Sequence, residues 1–337
     1  MAKIGVLGAG TWGVALARML CNNGHSVTVW SALEKEIDQL IKTRVHPNLP
    51  ETTVPQEIEF TKDIAVVCEN KDVLLFAVAS PFVRATAAKV APFVKEGQII
   101  VDVAKGIESD TLYTMSQIIN DELKGKEAKV VALSGPTHAE EVAKDLPTTI
   151  VSACEDEQAA LYVQNVFWGT CMRVYTNTDV LGVELCGAMK NIIALASGIA
   201  LGLGYGDNTK AALITRGMAE IARLGVAMGC NERTFGGLAG IGDLIVTATS
   251  VHSRNNRCGL LIGKGVPVNE AIKQVGMVVE GINAIPAAIK LKEKYSVELP
   301  IIEAVNEIVN VGAKPEDVVR ELMNRGKKPE TLIFPQE

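Results

Sequence analysis

Ile4-Gly5-Val6-Leu7-Gly8-Ala9-Gly10-Thr11-Trp12-Gly13 opens the chain almost at once. An apolar run leads into three glycines spaced G-x-G-x-x-G. A helical pattern follows through Val14, Leu16, Ala17, Met19 and Leu20. Strand, tight turn and helix in this order form the phosphate corner of a dinucleotide-binding unit. Gly8 would allow the turn. Gly10, with no Cβ, would let the backbone approach a pyrophosphate, and Gly13 would let the helix pack closely on the strand. The first-turn N–H groups lack partners in the chain and carry partial positive charge, which suits an anion. One rival is a secretory signal peptide, since Ile4 to Ala17 carries no charge and follows Lys3. A signal h-region does not need glycines at these spacings, and Arg18 follows without a small-residue cleavage pattern. The other rival is a glycine-rich turn in a purely structural βα unit.

At 337 residues the chain suggests two domains. Apolar content of 48% with 21% charge is ordinary for a well-packed protein. A net charge of −6 with no basic run argues against a general nucleic-acid binder. The seven cysteines are odd in number and scattered, with no C-x-x-C and no zinc-site spacing. They read as reduced thiols in the cytoplasm, with no metal. The uncharged run Asn191 to Gly206 is short of a ~20-residue span and rich in glycine, so it reads as a buried helix end and loop.

The first half alternates strands and helices. Val27 to Trp30, Glu57 to Phe60, Val73 to Val78, Gln98 to Val103, Lys129 to Leu133, Thr148 to Ser152 and Met172 to Val174 read as strands after the first. Leu33 to Ile41, the stretch before Val67, the stretch after Pro81 and Leu112 to Leu123 read as helices. This predicts a doubly wound, mostly parallel, Rossmann-like sheet over residues 1–178. From Asp179 the pattern becomes helical, so 179–337 is expected to be an all-α domain. Asn177-Thr178-Asp179 offers caps for a helix to about Ala200, and Thr209 to Met228 reads as another long helix.

Several residues could carry chemistry. Lys190 sits in Glu184-Leu185-Cys186-Gly187-Ala188-Met189-Lys190-Asn191, where its helical neighbours Cys186, Gly187, Ile193 and Ala194 make an apolar face. Such a lysine either snorkels to water or is held in a site. Desolvated and near another cation, it would lose its proton more readily and could trade protons with a carbonyl or alkoxide. Lys105 lies just past a strand end, the edge where open α/β sheets bind ligands; the alternative is an exposed loop lysine. Ser134-Gly135-Pro136-Thr137-His138 follows the next strand, with N–H groups around Gly135 and Thr137 for a ligand and His138 read as an exposed helix-start residue. Gly236 to Asp243 reads as a glycine-rich loop, with Thr247 four residues on. Ser253-Arg254-Asn255 at a helix start offers a hydroxyl, a guanidinium and an amide to a phosphate, or a solvated basic turn capped by Ser253. His25 and His46 read as loop residues.

In order along the chain, these pieces resemble the bacterial form of the NAD(P)-dependent glycerol-3-phosphate dehydrogenase family. The resemblance rests on Gly8 to Gly13, Ala104-Lys105-Gly106-Ile107-Glu108, Ser134 to Ala139, Glu184 to Asn191, Gly240-Ile241-Gly242-Asp243-Leu244 and Ser253-Arg254-Asn255. It implies interconversion of dihydroxyacetone phosphate and sn-glycerol 3-phosphate, and a role in glycerophospholipid supply. It implies that Lys190 exchanges the proton at the substrate oxygen and that Lys105 touches substrate and cofactor. Asp243 would orient Lys190 and a substrate hydroxyl. Ser253, Arg254 and Asn255 would hold the phosphate, with Thr247 assisting. Gly135 and Thr137 would line the substrate side. Ala139 would line the cofactor side, along with Gly8, Gly10, Thr11, Trp12, Gly13 and Ser31. Arg254, Val279 and Glu280 would meet the cofactor from the helical domain.

The cofactor is expected to be NADP or NAD. The second strand ends Trp30-Ser31-Ala32, without the acid that often binds a ribose 2′-hydroxyl in NAD enzymes. Without that repulsion, Ser31 or Lys35 could contact a 2′-phosphate, so the reading leans to NADPH. Two rivals remain: a β-hydroxyacid or hydroxyacyl-CoA dehydrogenase, which would not need the Arg254 cradle, and a nucleotide sensor without turnover, which leaves Lys190 unexplained. A homodimer is the default expectation for assembly.

Overall fold

The computed structural model describes residues 1–327 and 330. Residues 328–329 and 331–337 of the expected helical domain lie outside the described residues. The chain forms two compact units, Met1–Lys105 with Tyr113–Val180, and Gly106–Leu112 with Leu181–Glu337.

The first unit holds strands β1 (Lys3–Leu7), β2 (Ser26–Trp30), β3 (Glu59–Thr61), β4 (Val73–Phe76), β5 (Ile99–Asp102), β6 (Lys129–Ser134), β7 (Thr148–Ala153) and β8 (Met172–Asn177). They form one sheet in the order β3-β2-β1-β4-β5-β6-β7-β8. The expected doubly wound sheet is therefore present. Its order reverses on either side of β1, so the switch point falls between β1 and β4. Neighbours run parallel except β6 and β7. The link between those two carries only the four-residue helix Ala139–Val142, too little to cover a sheet face in a crossover, and the chain turns back.

Helices α1 (Thr11–Asn22), α2 (Glu34–Thr43), α3 (Ile64–Cys68), α4 (Val83–Val90), α5 (Met115–Glu122), α6 (Ala139–Val142) and α7 (Glu157–Val166) cover the sheet. Val14, Leu16, Ile37, Leu40 and Val163 build the core on one face. Val83, Ala87, Ile118 and Ile119 build it on the other. Every residue of β4 is buried, as a strand covered on both faces requires. Helix α5 starts at Met115, three residues later than its apolar pattern, because Leu112 takes a positive φ of 62°. Thr114 and Gln117 then form a capping box.

The second unit comprises α8 (Val180–Gly202), α9 (Asp207–Ala227), α10 (Glu232–Phe235), α11 (Asp243–Thr249), α12 (Arg254–Gly263), α13 (Val268–Val275), α14 (Glu280–Tyr295), α15 (Pro300–Asn306) and α16 (Pro315–Met323). Helix α8 is long and apolar enough to cross a membrane, but 89% of its most apolar window is packed inside the protein. It is the core helix, with Leu185, Met189, Ile192, Ile193 and Leu195 at its centre. Helix α12 lies backbone to backbone against it. A Cβ on Gly198 would collide with the Asn256 carbonyl, and one on Gly259 with the Leu195 carbonyl. This contact fixes the start of α12 relative to α8. The segment Gly106–Leu112 is tied into the unit by Ile107 in its core and by Lys290 Nζ donating to the Ser109 carbonyl at 2.7 Å.

Glu220 on α9 is buried and accepts from the N–H groups of Ile301 (2.8 Å) and Ile302 (3.3 Å), at the start of α15. Burial pushes its carboxyl up to about 7, against an ordinary 4.5. The folded state thus holds this proton more tightly than the unfolded chain does. Stability is expected to fall as pH rises from 4.5 to 7, by on the order of 3 kcal/mol, and to stay level above 7. Glu220→Gln should flatten that slope in urea denaturation at stepped pH; an unchanged slope would show that Glu220 does not cause it.

Candidate active site

Strands β1, β2, β4, β5 and β6 are parallel, so their carboxyl ends share one edge of the sheet. Gly8 follows β1 with φ of 124°, and its N–H donates to the Trp30 carbonyl at 2.8 Å. A Cβ there would stand 2.7 Å from the Ala77 carbonyl oxygen. A Cβ on Gly13 would collide with the Gly8 carbonyl, so helix α1 packs directly on the turn. Gly10 differs from both. Its φ is −68°, and nothing lies within 4 Å of an added Cβ. What glycine provides at this position is open room over the first-turn N–H groups of α1. Those unpaired donors and that room fit a pyrophosphate. Thr11 and Trp12 are half-buried beside it, and the Thr11 hydroxyl accepts from Asn48 Nδ2 at 2.9 Å.

Gly8→Ala and Gly10→Ala should therefore part company. The first forces a side chain into a left-handed position against a carbonyl, and is expected to cost several kcal/mol, about 2–4. The second should melt within about 2 °C of wild type yet weaken cofactor binding about 10-fold or more. Thermal melts and cofactor titrations of both variants check this.

Along the same edge, Lys105 follows β5 and its Nζ donates to the Gly135 carbonyl at 3.0 Å. The Thr137 hydroxyl donates to the same oxygen at 3.3 Å. The sheet thus brings Lys105, Gly135 and Thr137 together, with Ala139 opening α6 just beyond. His138 precedes that helix and is half-buried rather than exposed. His46 is in a loop as expected, but buried, and burial lowers its pKa.

In the helical unit, Lys190 does not snorkel. Its side chain is 6% exposed and that of Asp243 is 0% exposed. Lys190 Nζ donates to Asp243 Oδ1 at 2.5 Å and to Thr247 Oγ1 at 2.6 Å. The Thr247 hydroxyl itself donates to the Asp243 backbone carbonyl oxygen at 2.6 Å. The neighbour of the ammonium is a carboxylate, not the second cation on which easier proton loss was conditional.

Gly236 to Asp243 is not the loop that its glycines suggested. Leu238–Gly242 makes a wide π turn, kinked at Gly240, and Asp243 starts α11. A Cβ on Gly240 would collide with the Phe235 carbonyl, so only glycine allows this path. Asp243 and Thr247 are one turn apart on α11 and present both oxygens to one ammonium.

The Ser253 hydroxyl caps α12 by accepting from the Asn256 N–H at 3.2 Å. Arg254 is half-buried, and its guanidinium makes no hydrogen bond or ion pair among the described residues. Asn255 is more engaged. Its Nδ2 donates to Asn191 Oδ1 at 2.9 Å, and its Oδ1 accepts from the Gly281 N–H at 2.8 Å. Asn191 in turn donates to the Gly187 carbonyl at 3.1 Å. This chain of amides, which the sequence did not reveal, locks the start of α12 and of α14 to the residue after Lys190. Val279 is buried and Glu280 half-buried where α14 begins. Among the described residues no cluster could hold a metal ion.

A doubly wound unit with an open-roomed glycine corner, joined in one chain to a helical unit with a buried ammonium–carboxylate pair, defines a nucleotide-dependent dehydrogenase. Comparison with known proteins narrows this. Residues 3–160 match the family model described as NAD-dependent glycerol-3-phosphate dehydrogenase N-terminus, and residues 179–320 match its C-terminus. The chain belongs to the NAD-dependent glycerol-3-phosphate dehydrogenase family. It is 67% identical to glycerol-3-phosphate dehydrogenase [NAD(P)+] 2 of Lactobacillus delbrueckii subsp. bulgaricus, over 93% of this chain and 94% of that one. It is 54% identical to the Agathobacter rectalis enzyme over 92% of each. The crystal structure of glycerol-3-phosphate dehydrogenase from Coxiella burnetii superposes with a TM-score of 0.92 at 34% identity, covering 96% of this chain and 99% of that one. The chain is accordingly an oxidoreductase dependent on NAD(P).

Proposed function

We propose that this chain reversibly reduces dihydroxyacetone phosphate to sn-glycerol 3-phosphate, with residues 1–178 as the cofactor domain and 179–337 as the substrate and catalytic domain. The observation that carries this is the buried Lys190–Asp243–Thr247 cluster, held in the same unit as the Arg254 cradle. When bound in the glycine corner, a reduced nicotinamide would supply the hydride that the ketone carbon accepts. As the carbonyl electron pair moves onto oxygen, the Lys190 ammonium stabilises the growing charge and gives it a proton. Asp243 and Thr247 hold that ammonium in place. Arg254, with Ser253 and the Asn255 backbone at the start of α12, takes the phosphate, and this remote binding orients the carbonyl.

Lys105, Gly135 and Thr137 serve the substrate from the sheet edge, and Lys105 also serves the cofactor. Gly8, Gly10, Thr11, Trp12, Gly13, Ser31 and Ala139 bind the cofactor, joined by Arg254, Val279 and Glu280 from the helical unit. Trp30-Ser31-Ala32 carries no acid, so the cofactor is proposed to be NADP or NAD, with the choice set by whatever side chain reaches the end of β2. Reduced thiols at all seven cysteines support a cytoplasmic setting, where the product would feed glycerophospholipid synthesis. A homodimer is proposed because two-fold dimers are the commonest oligomers of soluble proteins.

Incubation with dihydroxyacetone phosphate and reduced cofactor, followed by NMR and stereospecific assay of the product, tests the reaction. Accumulation of sn-glycerol 3-phosphate is expected. Cofactor binding without any product from this substrate would contradict the reading.

A further inference from the structure

The carboxylate missing from the end of β2 in the sequence is returned to that place by the fold. The Gly8 N–H donates to the Trp30 carbonyl at 2.8 Å, which sets the end of β2 beside the glycine turn. Ser31, the next residue, is buried. Its hydroxyl donates to Glu36 Oε2 at 2.7 Å and accepts from the Leu33 N–H at 3.1 Å. Glu36 stands in the first turn of α2 and is half-buried. The serine hydroxyl is therefore spent on presenting a carboxylate, not on receiving a phosphate.

The nearby cations do little to reverse this. Lys62 Nζ is taken by Asp38 at 2.7 Å and Glu34 at 3.5 Å. His46 feels the Glu36 charge, but burial is the larger effect and lowers its pKa, so at neutral pH it adds no positive charge. Lys35 is exposed on the same turn, flanked in sequence by Glu34 and Glu36. The surroundings of Ser31 are thus net acidic.

In a doubly wound dinucleotide site, the group at the end of the second strand meets the adenosine ribose. An acid there accepts from a 2′-hydroxyl and repels a 2′-phosphate. We propose that Glu36, presented by Ser31, is the cofactor-specificity residue of this enzyme and selects NADH over NADPH. This rests on the dehydrogenase reading above, and it reverses the lean to NADPH drawn from Trp30-Ser31-Ala32 alone.

Fluorescence titration of the whole protein with NADH and with NADPH reads this directly and needs no turnover, so it stands or falls apart from the substrate assignment. The wild type should bind NADH about 10-fold or more tighter. Glu36→Gln, which keeps the hydrogen bond to Ser31 and removes the charge, should weaken NADH several-fold and tighten NADPH, moving the ratio about 30-fold. Glu36→Ser should move it in the same direction. Melting temperatures separate the alternative in which Glu36 only caps α2: both variants would then lose stability and keep the wild-type ratio. That result would overturn the proposal, as would a wild type that binds NADPH tighter.

Discussion

Lys190→Ala is expected to lower kcat for dihydroxyacetone phosphate reduction by about 10³-fold, with cofactor binding changed by less than about 3-fold. The loss combines a general acid, worth about 10²–10⁴, with the charge that stabilises the forming alkoxide. The substitution also takes the cation away from the fully buried Asp243 carboxylate. Removing one partner of such a pair costs on the order of 3–5 kcal/mol, so a lower melting temperature should accompany the lost rate. Lys190→Arg separates the two effects. It keeps a cation for Asp243 but carries a group that does not give up its proton. It should retain most of the stability and still lose about 10² or more in kcat. Steady-state rates and melts on both variants decide the matter. An arginine variant with near-full activity would show that proton transfer does not run through this position.

Arg254→Ala should give the second largest effect, and one of a different kind. The guanidinium has no described protein partner, so its removal should leave the melting temperature within about 2 °C. Charged hydrogen bonds to phosphate are worth about 1.5–3 kcal/mol each. Loss of a bidentate contact should then reduce kcat/KM for dihydroxyacetone phosphate by about 10²–10³-fold. At saturating reduced cofactor, the slow reduction of free dihydroxyacetone has no phosphate to lose and should change by less than about 3-fold. Equal losses on both substrates would place Arg254 in the chemistry or in the fold rather than on the phosphate.

The contrast between these two residues follows the limits of reading the sequence. The glycine corner was legible because its geometry is local: Gly8, Gly10 and Gly13 lie within six residues and act on one turn. The alternating strands were legible for the same reason, and only the reversal at β7 escaped, since it depends on the short link after β6. Lys190 was ambiguous because its partners sit 53 and 57 residues away, and no spacing rule pairs them. Asp243 was hidden further by its context. Gly236, Gly237, Gly240 and Gly242 look like a loop, yet they build a π turn that leads into α11. The Asn191–Asn255–Gly281 chain is buried hydrogen bonding across three helices and leaves no periodic trace. The Ser31–Glu36 contact leaves no signal in the sequence because the strand-end rule looks at the strand, while this carboxylate reaches back from the following helix. Composition and spacing therefore marked two candidate regions, and the folded chain shows which side chains in them are already hydrogen-bonded and to what.

The first experiment follows reduced-cofactor absorbance with the wild-type protein, offered dihydroxyacetone phosphate and free dihydroxyacetone side by side. Turnover is expected with the phosphate ester at a kcat/KM about 10² or more above that for the free ketone. Folded protein that binds the cofactor but reduces neither substrate, or reduces both equally well, would contradict that expectation.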